Sequence, residues 1–229
     1  MHNDTYPEIH PSLSPHANHS VLITGSNRGV GRAMILSYAR AGASRLALCS
    51  RQPSCPAVAA EIRAAAAEAG HPEPAVLELQ LDVTSQADVD AAAKAVEEAW
   101  GGLDILINNA GYMPVDCFEG VDKAGWDEYE KAWQVNFFGT LRVTKGFLGV
   151  LMKGTEKTVL NSVSVGALYT TGGGESYAMA KFVLCRATEF WCDGLKDQVS
   201  FPKNLLVLES KILGFFPSVY RLSWLICSL

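Results

Sequence analysis

The chain reads as an α/β protein, a single doubly wound domain with a mostly parallel sheet, and three features predict it. Short apolar runs alternate with longer helix-like stretches from Val21 onward. Several of those runs are apolar at consecutive positions, as strands covered on both faces require. The 229 residues, 48% of them hydrophobic, suit one substantial core rather than two. Strict alternation of strand and helix implies right-handed crossovers and puts ligands beyond the carboxyl ends of the strands.

In chain order, residues 1–19 form an irregular tail, 20–198 the domain and 199–229 an atypical C-terminal segment. Strands are expected at Val21 to Thr24, Arg45 to Cys49, Val76 to Leu81, Ile105 to Ile107 and Thr158 to Val163, with Asn204 to Leu208 as a further short one. Helices fall between them at Val30 to Ala41, Val58 to Ala69, Gln86 to Trp100, Trp126 to Met152 and Ser176 to Gly194. Thr84 or Ser85 is placed to cap the third helix, and Gly42, Gly70 and Gly101 to stop the first three.

Composition excludes several partners. A net charge of −5 and a pI near 5.5 supply no basic field for a nucleic-acid backbone or an anionic membrane. The six cysteines (Cys49, Cys55, Cys117, Cys185, Cys192, Cys227) are scattered without a CxxC pair. They read as reduced thiols of a cytoplasmic protein, with no metal site. The N-terminus lacks the basic and apolar regions of a secretory signal. Its four histidines (His2, His10, His16, His19), set among prolines and serines, read as a solvated tail rather than a metal tract.

The strand ends carry the polar motifs. TGSNRGVG, residues 24–31, has glycines at 25, 29 and 31 opening a helix. Such a turn lets backbone approach a pyrophosphate and aims a helix N-terminus at it, although three glycines also make a plain tight corner. After the second strand stands Cys49-Ser50-Arg51, where an acid would bind a ribose 2′-OH. Ser50 and Arg51, with Arg28 in the glycine turn, favour a 2′-phosphate and so NADP over NAD. Asp82 is placed to cap the following helix or to accept from an adenine amino group beside Val83. Asn108 to Gly111 ends the fourth strand, Ser162 and Ser164 the fifth. Asn136, a polar residue among Val135, Phe137 and Phe138, needs a water or a backbone partner. Tyr177 and Lys181, at i and i+4, share one helix face.

Taken in order, these motifs resemble the short-chain dehydrogenase/reductase family over residues 21 to about 196, and so a Rossmann-type domain. The matching positions are the TGxxxGxG turn at Thr24 to Gly31, Asp82, NNAG at Asn108 to Gly111, Asn136, a serine after the fifth strand, and YxxxK at Tyr177 to Lys181. The family spacing of about thirteen residues before the tyrosine selects Ser164, with Ser162 in reserve. The resemblance implies hydride transfer between NADP(H) and a small carbonyl or alcohol substrate, with Ser164, Tyr177, Lys181 and Asn136 catalytic. Thr24, Gly25, Arg28, Gly29, Val30, Gly31, Ser50, Arg51, Asp82, Val83, Asn109, Ala110, Gly111, Lys145, Tyr177 and Lys181 are then the cofactor-binding residues. Lys181 is expected to lower the pKa of Tyr177 and hold the nicotinamide ribose, and Asn136 to position a water linking Lys181 to solvent. A second copy of the chain is a further candidate partner.

Beyond residue 198 the family pattern is atypical or truncated. No Pro-Gly follows, and the remaining length is too short for both further strands of the family, so the C-terminal strands are expected to be incomplete. Ile212 to Leu229 is rich in leucine and aromatics, but Pro217 and Arg221 interrupt it below the ~20 apolar residues of a spanning helix. Val199-Ser200 can be encoded by GTAAGT, an intron start, which makes read-through of an unspliced intron one origin for the last 31 residues. On that reading the alternative to an active enzyme is a catalytically impaired nucleotide-binding or interaction protein. Specificity is assigned to loops such as 112–125 and to the family's substrate-covering C-terminal segment, which the pattern here lacks.

Overall fold

The computed structural model describes residues 16–114, 125–168 and 174–200, together with the backbone of 204–207 and 224–226. His2, His10, Cys117, Cys227, most of loop 112–125 and most of the C-terminal segment lie outside the described residues. Seven strands form one sheet in the order β3-β2-β1-β4-β5-β6-β7. They are β1 Ser20–Ile23, β2 Arg45–Ser50, β3 Ala75–Gln80, β4 Ile105–Asn108, β5 Thr158–Val163, β6 Asn204–Val207 and β7 Trp224–Ile226. The first six are parallel. The helices are α1 Gly29–Arg40, α2 Pro56–Glu68, α3 Gln86–Trp100, α4 Trp126–Trp133, α5 Thr140–Leu151 and α6 Glu175–Gly194.

The strands divide their side chains between two cores. Val21 and Ile23 of β1 point to the α1–α2 side, where they join Ile35, Ala39, Ile62, Leu46 and Ile107. Leu22 points to the other face, among Val89, Val96, Phe147 and Leu151 of α3 and α5. Residues 21–23 are therefore apolar without alternation because each face has its own cover. β3 is the exception: it lies at the sheet edge, and only Leu79 of its six residues is buried. On the α3–α5 side Gly146 is a contact point, since a Cβ there would stand 2.4 Å from Val89 Cγ1.

The helix ends follow their sequence signals. Ser85 is the N-cap of α3 and accepts from Asp88 N–H, while Gly101 closes the helix in the left-handed region at φ 75°. The stretch expected as one helix from Trp126 to Met152 is continuous but not uniform. Gln134–Gly139 between α4 and α5 is a π-helical segment. It contains Asn136, and a Cβ on its Gly139 would lie 2.7 Å from Val83 Cγ2, so the segment closes on the end of β3. Such bulges lie often at functional sites.

At the edge of the sheet away from the motifs, the buried Asp104 carboxylate accepts from Ser20 N–H at 2.8 Å and Ser20 Oγ at 2.7 Å. It also accepts from Thr155 N–H at 2.7 Å and Thr155 Oγ1 at 2.8 Å. Burial would raise its pKa, but these bonds outweigh burial and hold the carboxyl well below its usual range.

At the C-terminal edge β6 falls within the short strand expected at Asn204 to Leu208 and pairs parallel with β5, and the three-residue β7 pairs antiparallel with β6. A strand of three residues, Trp-Leu-Ile, is too short to carry a periodic signal.

Candidate active site

β1 and β4 lie side by side, and the chain leaves them toward opposite flanks of the sheet, so a crevice opens at their carboxyl ends. The glycine turn after β1 and the NNAG turn after β4 are knitted together across it. Thr24 Oγ1 accepts from the N–H groups of Asn109 and Ala110, both at 2.9 Å. Asn109 Nδ2 donates back to the carbonyls of Thr24 at 3.0 Å and Gly25 at 3.3 Å. Gly25 and Gly29 have positive φ, 66° and 57°. A Cβ on Gly31 would lie 2.4 Å from Gly25 O and 2.5 Å from Asn109 Nδ2. The backbone thus forms a cradle that side chains would fill. Above it, α1 begins with exposed Arg28 in extended geometry and no side-chain cap, leaving its first N–H groups for a ligand. Val30 is half-buried at this end of α1. The cradle suits the pyrophosphate of a dinucleotide.

Around the ends of β2 and β3 the sequence reading needs revision. Ser50 Oγ donates to the Gln52 carbonyl and accepts from Gln52 N–H, both at 3.0 Å, so the hydroxyl is closed on its own loop while Arg51 beside it is exposed. The turn carries no acid of its own at Cys49-Ser50-Arg51, but Glu78 of β3 reaches it, accepting from Cys55 N–H at 2.6 Å and Ser54 Oγ at 2.8 Å. Asp82 is not the cap of α3. Its carboxylate accepts from Thr84 N–H at 2.8 Å and Thr84 Oγ1 at 2.7 Å, and Ser85 does the capping. Val83 is buried beneath the π-helical segment, and its carbonyl accepts from Arg142 at 2.8 Å. Glu78 and Arg142 carry no local signal, because only the fold brings them to these turns. Lys145 is exposed on α5.

The remaining residues converge on the other side of the crevice. Tyr177, at the start of α6, is hydrogen-bonded to the side chain of Ser164, which follows β5. Ser164 Oγ also accepts from Gly166 N–H at 3.2 Å. Ser162, the reserve candidate, is buried and its hydroxyl has no partner among the described residues. Its carbonyl instead accepts from Lys181 Nζ at 2.8 Å. Burial raises the Tyr177 pKa, and the Ser164 bond only partly offsets this. The expected lowering by Lys181 is absent because the ammonium lies 5.9 Å from the ring centroid and is turned to Ser162. Burial likewise lowers the Lys181 pKa to about 8.

Asn136 has a backbone partner on β4's exit. Its Nδ2 donates to the carbonyls of Tyr112 at 2.6 Å and Ala132 at 2.8 Å, and its Oδ1 accepts from Tyr112 N–H at 3.2 Å. A Cβ on Gly111 would be 3.1 Å from that Oδ1 and 4.0 Å from Lys181 Nζ, so amide and ammonium border one small space. A buried phenol kept protonated, a hydroxyl bonded to it and a nearby cation can together move a proton to or from a small oxygen atom.

Known proteins resemble the chain over most of its length. The family model described as short chain dehydrogenase matches residues 19–200. The chain is 42% identical over 193 residues to short chain dehydrogenase mpl6 of Monascus purpureus, covering 83% of this chain and 64% of that protein. It is 31% identical over 222 residues to short chain dehydrogenase andI of Emericella variicolor, covering 95% of this chain and 74% of that one. The crystal structure of the NADH-dependent reductase A1-R′, responsible for alginate metabolism, superimposes with a TM-score of 0.71 at 27% identity, over 81% of this chain and 75% of that one. A cradle of glycines, a Ser–Tyr–Lys cluster beside it and a family match spanning both lead to one conclusion: the chain belongs to the short-chain dehydrogenase/reductase family of oxidoreductases.

Proposed function

We propose that this chain is an NADP(H)-dependent reductase of small carbonyl compounds, or a dehydrogenase of the matching alcohols, with Tyr177 as proton donor. The observation that carries the reading is the hydrogen bond between Tyr177 and Ser164 above the buried Lys181. A bound nicotinamide cofactor supplies or accepts the hydride. Ser164 holds the substrate oxygen by a hydrogen bond, and Tyr177, whose raised pKa keeps it a phenol near neutrality, gives that oxygen its proton. The phenolate left behind is then stabilised by the Lys181 ammonium, which is predominantly charged below pH 8. Lys181 would hold the nicotinamide ribose, and the Asn136 carboxamide oxygen borders the same small space beside Gly111.

For the cofactor, Arg51 and Arg28 are exposed cations at the adenosine end, and Glu78 already satisfies two donors there. This favours a 2′-phosphate, in contrast to the NADH-dependent structural relative. Purified chain with NADPH and then NADH over a panel of carbonyl compounds tests it. NADPH is expected to give the higher kcat/KM, and Arg51→Ala to reduce that advantage about 10-fold by removing a charged hydrogen bond of roughly 1.5 kcal/mol. An NADH preference, or no effect of Arg51→Ala, contradicts the assignment. Stabilisation by NADPH without its oxidation by any compound would point to a nucleotide-binding chain that does not turn over.

Cys49 and Cys55 are free thiols, and Cys49 is buried with its thiol pKa pushed up, which supports a reducing, cytoplasmic setting. No described helix is long and apolar enough to cross a membrane. Phe182 and Phe190 on α6 and Phe138 near α5 are exposed, and their apolar area supports a homo-oligomer. Light scattering of the purified chain is expected to give at least twice the 24.7 kDa chain mass, and a monomer would overturn that part.

A further inference from the structure

Tyr112, which follows the NNAG turn, grips the helix opposite it at two levels. Its backbone N–H and C=O bracket the Asn136 carboxamide at 3.2 and 2.6 Å. Its side chain reaches α4, where the hydroxyl donates to the Glu128 carboxylate. Lys131, one turn further, lies 4.2 Å above the Tyr112 ring and 3.5 Å from Glu128. Phenol, carboxylate and ammonium thus close a small cluster on the same helix that carries Asn136. The amide orientation is fixed by the donors and acceptors around it. Turned over, its oxygen would face the carbonyls of both Tyr112 and Ala132.

We propose that Tyr112 is a positioning residue for Asn136: its side chain, held by Glu128 and Lys131, fixes the backbone that orients the amide beside Gly111 and Lys181. The proposal rests on the reading of Asn136 as part of the active site. Asn136 has no rotational freedom while both Tyr112 groups hold it, and those groups are held only as firmly as residue 112 is anchored. The half-buried phenol supplies that anchor from outside the core.

Steady-state kinetics with NADPH and the carbonyl compound turned over fastest tests the role. Tyr112→Phe keeps the ring beneath Lys131 but removes the bond to Glu128. It is expected to lower kcat about 3- to 10-fold, the worth of one hydrogen bond, with the KM for NADPH within about 2-fold of wild type. Glu128→Ala, on the solvent side of the same contact, is expected to do the same, and Glu128→Gln to recover part of the loss because it retains an acceptor. Tyr112→Phe combined with Asn136→Ala should lose no more than Asn136→Ala alone. Additive losses would overturn the role of Tyr112 while leaving Asn136 in the site. Full kcat in Asn136→Ala would instead remove the underlying reading, and the proposal with it. A readout that needs no turnover is hydrogen exchange at the Tyr112 amide, which should become at least about 10-fold faster in Glu128→Ala; an unchanged rate contradicts the proposal.

Discussion

Lys181 shows how burial rather than pairing sets the chemistry of a single residue. Desolvation lowers its pKa to about 8 from an ordinary 10.5. In the free enzyme the ammonium is present below about pH 8 and is lost as pH rises through it. Accordingly kcat/KM for carbonyl reduction is expected to fall above about pH 8, and a profile flat to pH 10 would contradict this role. The sign for stability is opposite. Between pH 8 and 10.5 the unfolded chain binds the proton that the folded chain has released, so this residue makes folding more favourable as pH rises there. At the same scale the sequence was legible for residue type and order. Ser164, Tyr177 and Lys181 stand together as their spacing implied, but the direction of the Tyr177 shift was not legible. It depends on how deeply the phenol is buried and on where the ammonium points, neither of which is written locally.

Elements were readable where periodicity and caps agreed. α3 runs from Gln86 to Trp100 between a Ser85 cap and Gly101, both visible as residue types, and the Asp88 carboxylate accepts from the Ser85 hydroxyl and from Asp82 N–H. The π-helical segment was not readable, and neither was the partner of the Asn136 carboxamide, Tyr112 beyond the end of β4, which only the fold supplies. Nor was the contact of α3 with α5 at Gly146. Gly146→Ala forces a methyl to within 2.4 Å of buried Val89. It is expected to destabilise the protein by about 1–3 kcal/mol, seen as a lowered Tm in calorimetry, and an unchanged Tm would mean that the helices part without cost.

For the whole molecule, the parallel arrangement of β1 to β5 follows from alternation in the sequence, and it brings five separate turns to one edge. The pairing of β6 and β7 does not follow from it. Three residues of β7 carry too little pattern to be seen without their neighbour. The chain spans 64% of the length of the Monascus relative, so activity of the whole protein is part of the proposal. The central claim is that residues drawn from β5 and α6 form a proton donor beside a dinucleotide cradle made by β1 and β4. Tyr177→Phe isolates that claim, because it removes one hydroxyl and leaves the cradle untouched. With NADPH present, the variant is expected to retain the cofactor-induced rise in Tm of the parent chain and to lose at least about 100-fold in kcat, the lower end for general acid–base catalysis. Unchanged kcat in a variant that still binds NADPH would contradict the account.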